Sequence, residues 1–461
     1  MPRSINGPDH QGDKVQVRSV ESSGQVFSVS VLRGRGGTQL IIPVQHPLYC
    51  QARSVPVRLG RMALRARVRA GEEGEGVRLE LGSAVPWPRG LPATLRVRRT
   101  AAGAYHVGPV VAILSAVYRR RRYGPQDGLF RRMLAEGDEM GVLTYVISPG
   151  ALRGGAVLGY RHDGRRWRPG YFPPPDVLYN RTQATPGTVA VERALRRRFG
   201  TRVFNSRIGS KWRQYRVLRR DPALRTHLPA TRPLRGPSDL YVMLRRYGGV
   251  YVKPSRGGFG RGVWRIERRR PGYDVRRTDA VGRPHKVAVR SVAAAFAAIR
   301  RRRRAFIVQQ RLHLIRWKGS IADVRVLMQK DAHGEWQMTG AGVRAGKGGT
   351  IVSNLSGGGR AVALSDLLRE AFPGQTERIE RLEEMVQEVA GRVARRLERA
   401  ARPIGELGID LAIDRDGRLW FLEANSRTGR SLFHHLDATG LGRLADRRPL
   451  EYAAYLAGFR P

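Results

Sequence analysis

Two apolar runs separated by an Asp-Gly pair set the tightest limit on how this chain can fold. The segment Gly408-Ile-Asp410-Leu-Ala-Ile-Asp-Arg-Asp416-Gly417-Arg-Leu-Trp-Phe-Leu-Glu423-Ala-Asn425 reads as a hairpin that turns at Asp416-Gly417. Glu423 follows Leu419-Trp420-Phe421-Leu422, where the strand should be buried, and a buried carboxylate without a partner is costly. Glu423 and Asn425 are two residues apart and so point the same way. With Asp410 they make three hard oxygen donors for one hairpin face, a set that suits Mg²⁺ held together with nucleotide phosphates. A surface hairpin with scattered acids is the alternative, and Glu423 fits it poorly.

A second segment, Val250-Tyr-Val-Lys253-Pro-Ser-Arg-Gly257-Gly258-Phe259-Gly260-Arg-Gly262-Val-Trp264, ends a strand at Lys253, turns through glycines and starts another near Val263. It is not a P-loop, which puts Lys and Ser/Thr after the glycines at a helix start. It can form a flap whose amides lie over phosphates beside an ammonium. Taken alone, it is an ordinary glycine-rich hairpin. A third signal joins Asp323-Val-Arg325, Arg344 and Ser353-Asn354-Leu-Ser-Gly357-Gly358-Gly359, a phosphate and metal shell in outline.

Charge bears on function more than on fold. The 461 residues carry 85 basic and 38 acidic side chains, a net +47, and only seven of the bases are lysines. Arginine runs such as 119–122, 196–198, 268–270 and 301–304 are dispersed, and no zinc finger or aromatic-interleaved basic motif accompanies them. A compositional bias is therefore favoured over dedicated nucleic-acid binding. In such a chain the surviving lysines are expected where arginine cannot substitute. The single cysteine, Cys50, excludes a disulfide framework and a cysteine-based metal cluster. The polar N-terminus lacks a signal-peptide core, and residues 101–118 are interrupted by Gly103, His106, Gly108 and Pro109. A soluble protein of a reducing compartment, without a membrane span, is expected.

The pattern changes along the chain. Residues 1–104 read as β-rich: Phe27, Val29 and Val31 alternate with serines, and Leu64, Ala66 and Val68 alternate with Arg65, Arg67 and Arg69. From 105 to 204, apolar runs Val110–Leu114, Val142–Ile147 and Val177–Tyr179 with helical stretches Gly128–Glu136 and Val189–Phe199 suggest a parallel α/β sheet. Its ligands would lie at the carboxyl edge, near Arg119–Arg122. Ile379, Leu382, Val386, Val389, Val393 and Leu397 predict one amphipathic helix from Thr376 to Arg402.

Taken in order, Lys211, Lys253 with its glycine flap, Asp323-x-Arg325, Asn354 with Gly357–Gly359, and Asp410…Glu423-x-Asn425 resemble the ATP-grasp superfamily on its RimK and D-alanine–D-alanine ligase side. More narrowly, Asn205-Ser206-Arg207…Lys211-Trp212, the Asp323 segment and Ser353–Gly358 resemble the YheC/YheD family, associated with the endospore coat. The resemblance implies an α/β (α+β ATP-grasp) fold after a small β-rich N-terminal domain. The α/β domain at 105–204 would precede a lid subdomain at 205–312 and a large subdomain at 313–461. ATP and Mg²⁺ are the implied cofactors. Lys211 and Lys253 would contact phosphates under Gly257, Gly258, Phe259, Gly260 and Gly262. Gln309, Gln310, Arg311 and Leu312 would form the adenine hinge. Asp410, Glu423 and Asn425 would hold the metal, and Arg325, Lys253 and Asn354 would carry the transfer step.

The implied activity is a carboxylate–amine or carboxylate–thiol ligase working through an acyl phosphate on an unidentified carboxylate, in the mother-cell cytoplasm or at the spore coat with coat proteins as partners. A coat structural protein with a retained nucleotide site and a basic polyanion binder are the alternatives. Three positions depart from the wider pattern: Gln310 stands where many relatives have an acid, Thr428 where they have proline, and Gly408 where D-alanine ligases have arginine. D-alanine chemistry is therefore not expected. His434 and His435 are read as packing or substrate-side residues.

Overall fold

The computed structural model describes every residue except 1–24, 35, 89–90, 92–93, 119–121, 206, 258–261, 279–283, 301–304, 347–359, 402 and 437–439. Four sheets organise the chain. The first is a closed barrel in which Phe27–Arg33, Val77–Leu81, Gln39–Pro43, Met62–Gly71, Ser54–Leu59, Tyr105–Gly108 and Thr94–Arg99 neighbour one another in turn. Alternation sorts its side chains: Ala66 is buried while Arg65, Arg67 and Arg69 face out. Three of its strand pairings are parallel, and closure requires Tyr105–Gly108, just past the stretch that reads as β-rich.

The second sheet has a parallel centre, Leu143–Ile147, Val110–Leu114, Val177–Asn180 and Arg202–Phe204, as the apolar runs predict. Its far edge differs from a purely parallel sheet, because Ala156–His162 joins antiparallel and carries Trp167–Phe172. Helices Asp127–Glu139 and Pro186–Phe199 supply the crossovers. Thr185 caps the second of these, and Gly200 ends it in the left-handed region at φ 66°.

The third sheet runs Thr231–Leu234, Phe306–Gln310, Gly249–Pro254, Trp264–Arg268, Tyr273–Thr278 and Pro284–Val289. Helices Pro237–Tyr247 and Val292–Arg300 cover the face that carries Val250, Val252 and Val308. The alternate residues Tyr251, Lys253 and Gln309 are thereby turned to the opposite face.

The fourth sheet runs Arg360–Val362, Trp336–Ala345, Ser320–Lys330, Glu406–Ile413 and Leu419–Asn425. The predicted long helix is present as Thr376–Arg399. Its apolar stripe packs on Val324, Val326, Val343, Ile409 and Leu411, one face of this sheet. Helix Lys211–Leu218 also packs on this sheet's core through Leu218, so Lys211 is carried to the edge of the Leu419–Asn425 strand. On the opposite face, Leu327 is covered by Leu432 and Phe433, while the residues beyond it toward Asp323 are polar. No helix among the described residues is long and apolar enough to cross a membrane.

Candidate functional site

The polar face of the fourth sheet carries its charges in register. Arg344 lies opposite Asp323, Arg325 opposite Asp410, and Asp410 opposite Glu423, while Asn425 is two residues further along. Directly opposed residues of antiparallel strands share a face, so these side chains meet as cross-strand pairs. A register shift after Asp410 leaves Leu422 without an opposite residue, and this bulge aims Glu423 outward.

Asp410 is the electrostatic centre, only 4 % exposed. Arg325 grips it with two N–H groups, Nη2 donating to Oδ2 at 3.0 Å and Nε to Oδ1, and Arg344 Nη2 is 3.0 Å from Oδ2. Arg344 also donates to both oxygens of Asp323. Burial alone would raise the Asp410 carboxyl, but the two guanidiniums more than offset that and hold it down to about 2.

Glu423 is treated differently. Its Oε2 lies 2.5 Å from the Lys211 ammonium, and its Oε1 accepts from Asn425 Nδ2 at 3.0 Å. Lys211 also donates to the Gly257 carbonyl at 2.8 Å, tying the start of the flap to the hairpin. Gly257 has φ 129° and Gly262 φ 74°, so both flap ends need a residue without Cβ. Between the sheets stands Lys253. Its ammonium donates to Gln309 Oε1 at 2.8 Å, and Gln309 Nε2 donates to Thr231 Oγ1 at 3.0 Å. Burial is the chief cause that brings Lys253 down to about 8, with Lys211 acting in the same direction and Glu423, Asp410 and Asp323 opposing it. These groups therefore share one electrostatic site. Lys211, Lys253, Arg325, Asp410, Glu423 and Asn425, each singled out in the sequence, are brought together here.

The residues expected to form the adenine hinge lie at and just after the end of one strand of the third sheet. Gln309 and Gln310 end the strand Phe306–Gln310, with Gln310 Oε1 accepting from the Ala230 amide at 2.8 Å. Arg311 follows, ion-paired to Glu267, and Leu312 is half-buried beside it. Gly258, Phe259, Gly260 and Asn354 lie outside the described residues. His434 Nε2 lies 3.1 Å from Asp446, and among the described residues no three His, Cys, Asp or Glu side chains form a metal-binding group.

With this arrangement established, similarity to known proteins decides the family. The sequence model of the YheC/D-like ATP-grasp family matches residues 200–456. The chain belongs to that family. Among curated proteins, it is 27% identical over 368 residues to the endospore coat-associated protein YheD of Bacillus subtilis (strain 168), covering 76% of this chain and 80% of that one. It is 25% identical over 292 residues to YheC of the same organism, covering 62% and 78%. Among solved structures, a RimK domain protein ATP-grasp from Sphaerobacter thermophilus DSM 20745 is 18% identical, covering 73% of this chain and 98% of that one, at a TM-score of 0.40.

Within the ATP-grasp framework, two of the departures prove to be one feature. A Cβ on Gly408 would fall 2.3 Å from Thr428 Oγ1 and 3.3 Å from Arg325 Nη1. The Thr428 hydroxyl accepts from Arg325 Nη1 at 2.7 Å, so the hydroxyl and the missing Cβ together orient the guanidinium. Gly408→Ala is expected to destabilise the fold by about 1–3 kcal/mol through overpacking. Urea denaturation should show this as a lower midpoint with an unchanged slope.

Sequence reasoning missed a second layer of charges behind the site. Glu406, fully buried, accepts from Tyr179 at 2.7 Å, Arg181 at 2.7 Å, Gln329 at 2.7 Å and Arg430 Nε at 3.1 Å. Arg430 continues to Asp446 at 3.0 Å, and Arg181 donates to the Thr428 carbonyl at 3.0 Å. Asn205, at φ 61°, accepts from the Gly405 and Glu406 amides and donates to the Ser426 carbonyl. A charged residue opening a fully buried strand, as Glu406 does before Leu407-Gly408-Ile409, is the signal that could have revealed this layer.

Proposed function

We propose that this protein is an ATP- and Mg²⁺-dependent ligase that activates a carboxylate for attack by an amine or thiol. The observation that carries the reading is the meeting of Lys211, Lys253, Arg325, Glu423 and Asn425 between two sheets, with the Gly257 carbonyl tied to Lys211. ATP, when bound, supplies the phosphoryl group that turns a carboxylate into an acyl phosphate. Lys253 and Lys211 would neutralise phosphate oxygens, and Arg325 would face the transferred group. Such a reaction needs positioning and charge neutralisation more than acid–base help. That suits a site whose side chains are mostly permanent charges.

The donor set fits a hard divalent cation. Glu423 and Asn425 offer oxygens, and the Lys211 ammonium at 2.5 Å marks Glu423 as needing a cation. Asp410 lies directly opposite Glu423 and would complete the set, while also fixing Arg325 and Arg344. The third sheet would act as the lid and the fourth as the large subdomain. The barrel and the α/β sheet would stand before them and supply substrate specificity. The family membership and the name of the YheD relative support an association with the endospore coat.

Calorimetric titration of ATP tests this reading. Wild type is expected to bind at micromolar concentration only with Mg²⁺. The Glu423→Gln, Asn425→Ala double variant should lose about 100-fold or more, since two metal ligands go at once. Absence of binding in folded wild type would overturn the proposal.

A further inference from the structure

Beside the proposed ATP site, the carboxyl edge of the α/β sheet holds a groove of about 410 Å³. Its floor is largely apolar, made of Ala184, Pro186, Val189 and Ala190 with Thr185 among them, and Arg193 and Arg207 complete the lining. Open α/β sheets bind ligands at this edge. Ala184 follows the strand Val177–Asn180, and Arg207 follows its parallel neighbour Arg202–Phe204. Arg207 is also tethered close to the ATP site. Asn205 is bonded to the Ser426 carbonyl next to Asn425, and Lys211 lies four residues on, a span of at most about 14 Å.

The charges of this groove are unspent. Among the described residues, Arg193, Arg197 and Arg207 are exposed and take part in no ion pair. The one carboxylate of helix Pro186–Phe199, Glu192, is buried and bonded to Asn180. Arg197 lies one turn after Arg193 on the same side, roughly 6 Å along the helix. A basic trail thus leaves the groove and runs away from the ATP site. A small acid would need only the groove, whereas the trail suits a ligand with several carboxylates in sequence. The apolar floor suits a side chain between them, which a sugar-phosphate backbone lacks.

We propose that this groove is the docking site of the ligase substrate, and that the substrate is an acidic polypeptide. An apolar side chain fills the floor, and flanking carboxylates pair with Arg207, Arg193 and Arg197. This assignment rests on the ligase reading for its meaning, but binding at the groove needs no nucleotide. The two can therefore fail separately.

The test is fluorescence anisotropy at about 0.15 M salt, where distant surface charges are screened. The probe is a fluorescein-labelled pentapeptide with leucine at its centre and glutamate elsewhere. Arg193→Gln with Arg207→Gln is expected to weaken binding about tenfold or more, because two charge-assisted contacts are lost. Arg65→Gln with Arg69→Gln, the same charge change on the barrel, should cost less than about twofold. Ala190→Tyr fills the groove without altering charge and should abolish binding while ATP titration is unchanged. Equal weakening by the two arginine pairs, or full binding by Ala190→Tyr, would overturn the proposal. So would an oligo-dT strand that displaces the peptide from wild type and binds Ala190→Tyr equally well. Loss of ATP binding with retained peptide binding would instead sink the ligase reading and leave the groove standing.

Discussion

Glu406→Gln is expected to cost the fold about 3–5 kcal/mol, the range for breaking a buried ion pair from one side. Glu406 is fully buried between Arg181 and Arg430, and it joins Tyr179 of the α/β sheet to Gln329 of the large sheet. Glutamine keeps the shape and removes the charge, so two guanidiniums lose a shared counter-ion in a place water cannot reach. Burial alone would push the Glu406 carboxyl up, but Arg430 and Arg181 more than reverse that, and its folded-state value lies below the ordinary one. The stability it contributes is therefore complete above the unfolded-state value of about 4.3, and is lost as pH falls through the lower folded-state value. Urea midpoints of wild type and variant should differ most at neutral pH and converge as the solution is acidified below about pH 4. A difference independent of pH would mean that packing, not charge, is what the substitution removes.

What was legible in the sequence divides along a physical line. Periodicity reports local burial, so the long helix, the alternating barrel strands and the hairpin at Asp416-Gly417 could be read directly. Spacing reports which side chains share a face, which is why Glu423 and Asn425 could be placed together. Pairing between distant strands leaves no such trace. Nothing local announces that Tyr105–Gly108 closes a barrel beside Ser54–Leu59, or that Trp167–Phe172 extends the α/β sheet antiparallel. The same holds for Glu406, whose partners are 24 to 227 residues away. At the site, the sequence suggests Asp410 as a plain metal ligand. The structure adds that both its oxygens are gripped by guanidiniums, because Arg325 and Arg344 stand on neighbouring strands at matching register. In the sequence Gly408 and Thr428 are two separate departures from the superfamily pattern, and only the fold places Thr428 in the space a Gly408 Cβ would occupy.

Lys253 carries the second large expectation, a pH dependence of nucleotide affinity that its neighbours set. Its ammonium is pushed down to about 8, chiefly by burial, so near that pH the free protein holds it charged in only half of the molecules. If a phosphate oxygen takes the protonated form, affinity should be steady below pH 7.5 and fall by about tenfold by pH 9. Lys253→Met removes a charged hydrogen bond worth about 1.5–3 kcal/mol, or roughly 10- to 150-fold in affinity, and should flatten the profile. Lys253→Arg keeps a charge that does not titrate, so its profile should also be flat, at an affinity between the two. The three profiles, measured by calorimetry with saturating Mg²⁺, separate the role of charge from that of shape. Identical slopes in wild type and Lys253→Met would assign the titration to another group and remove Lys253 from the phosphate site. A slope in wild type alone would make this lysine the reason why a chain with 78 arginines retains an amine at that position.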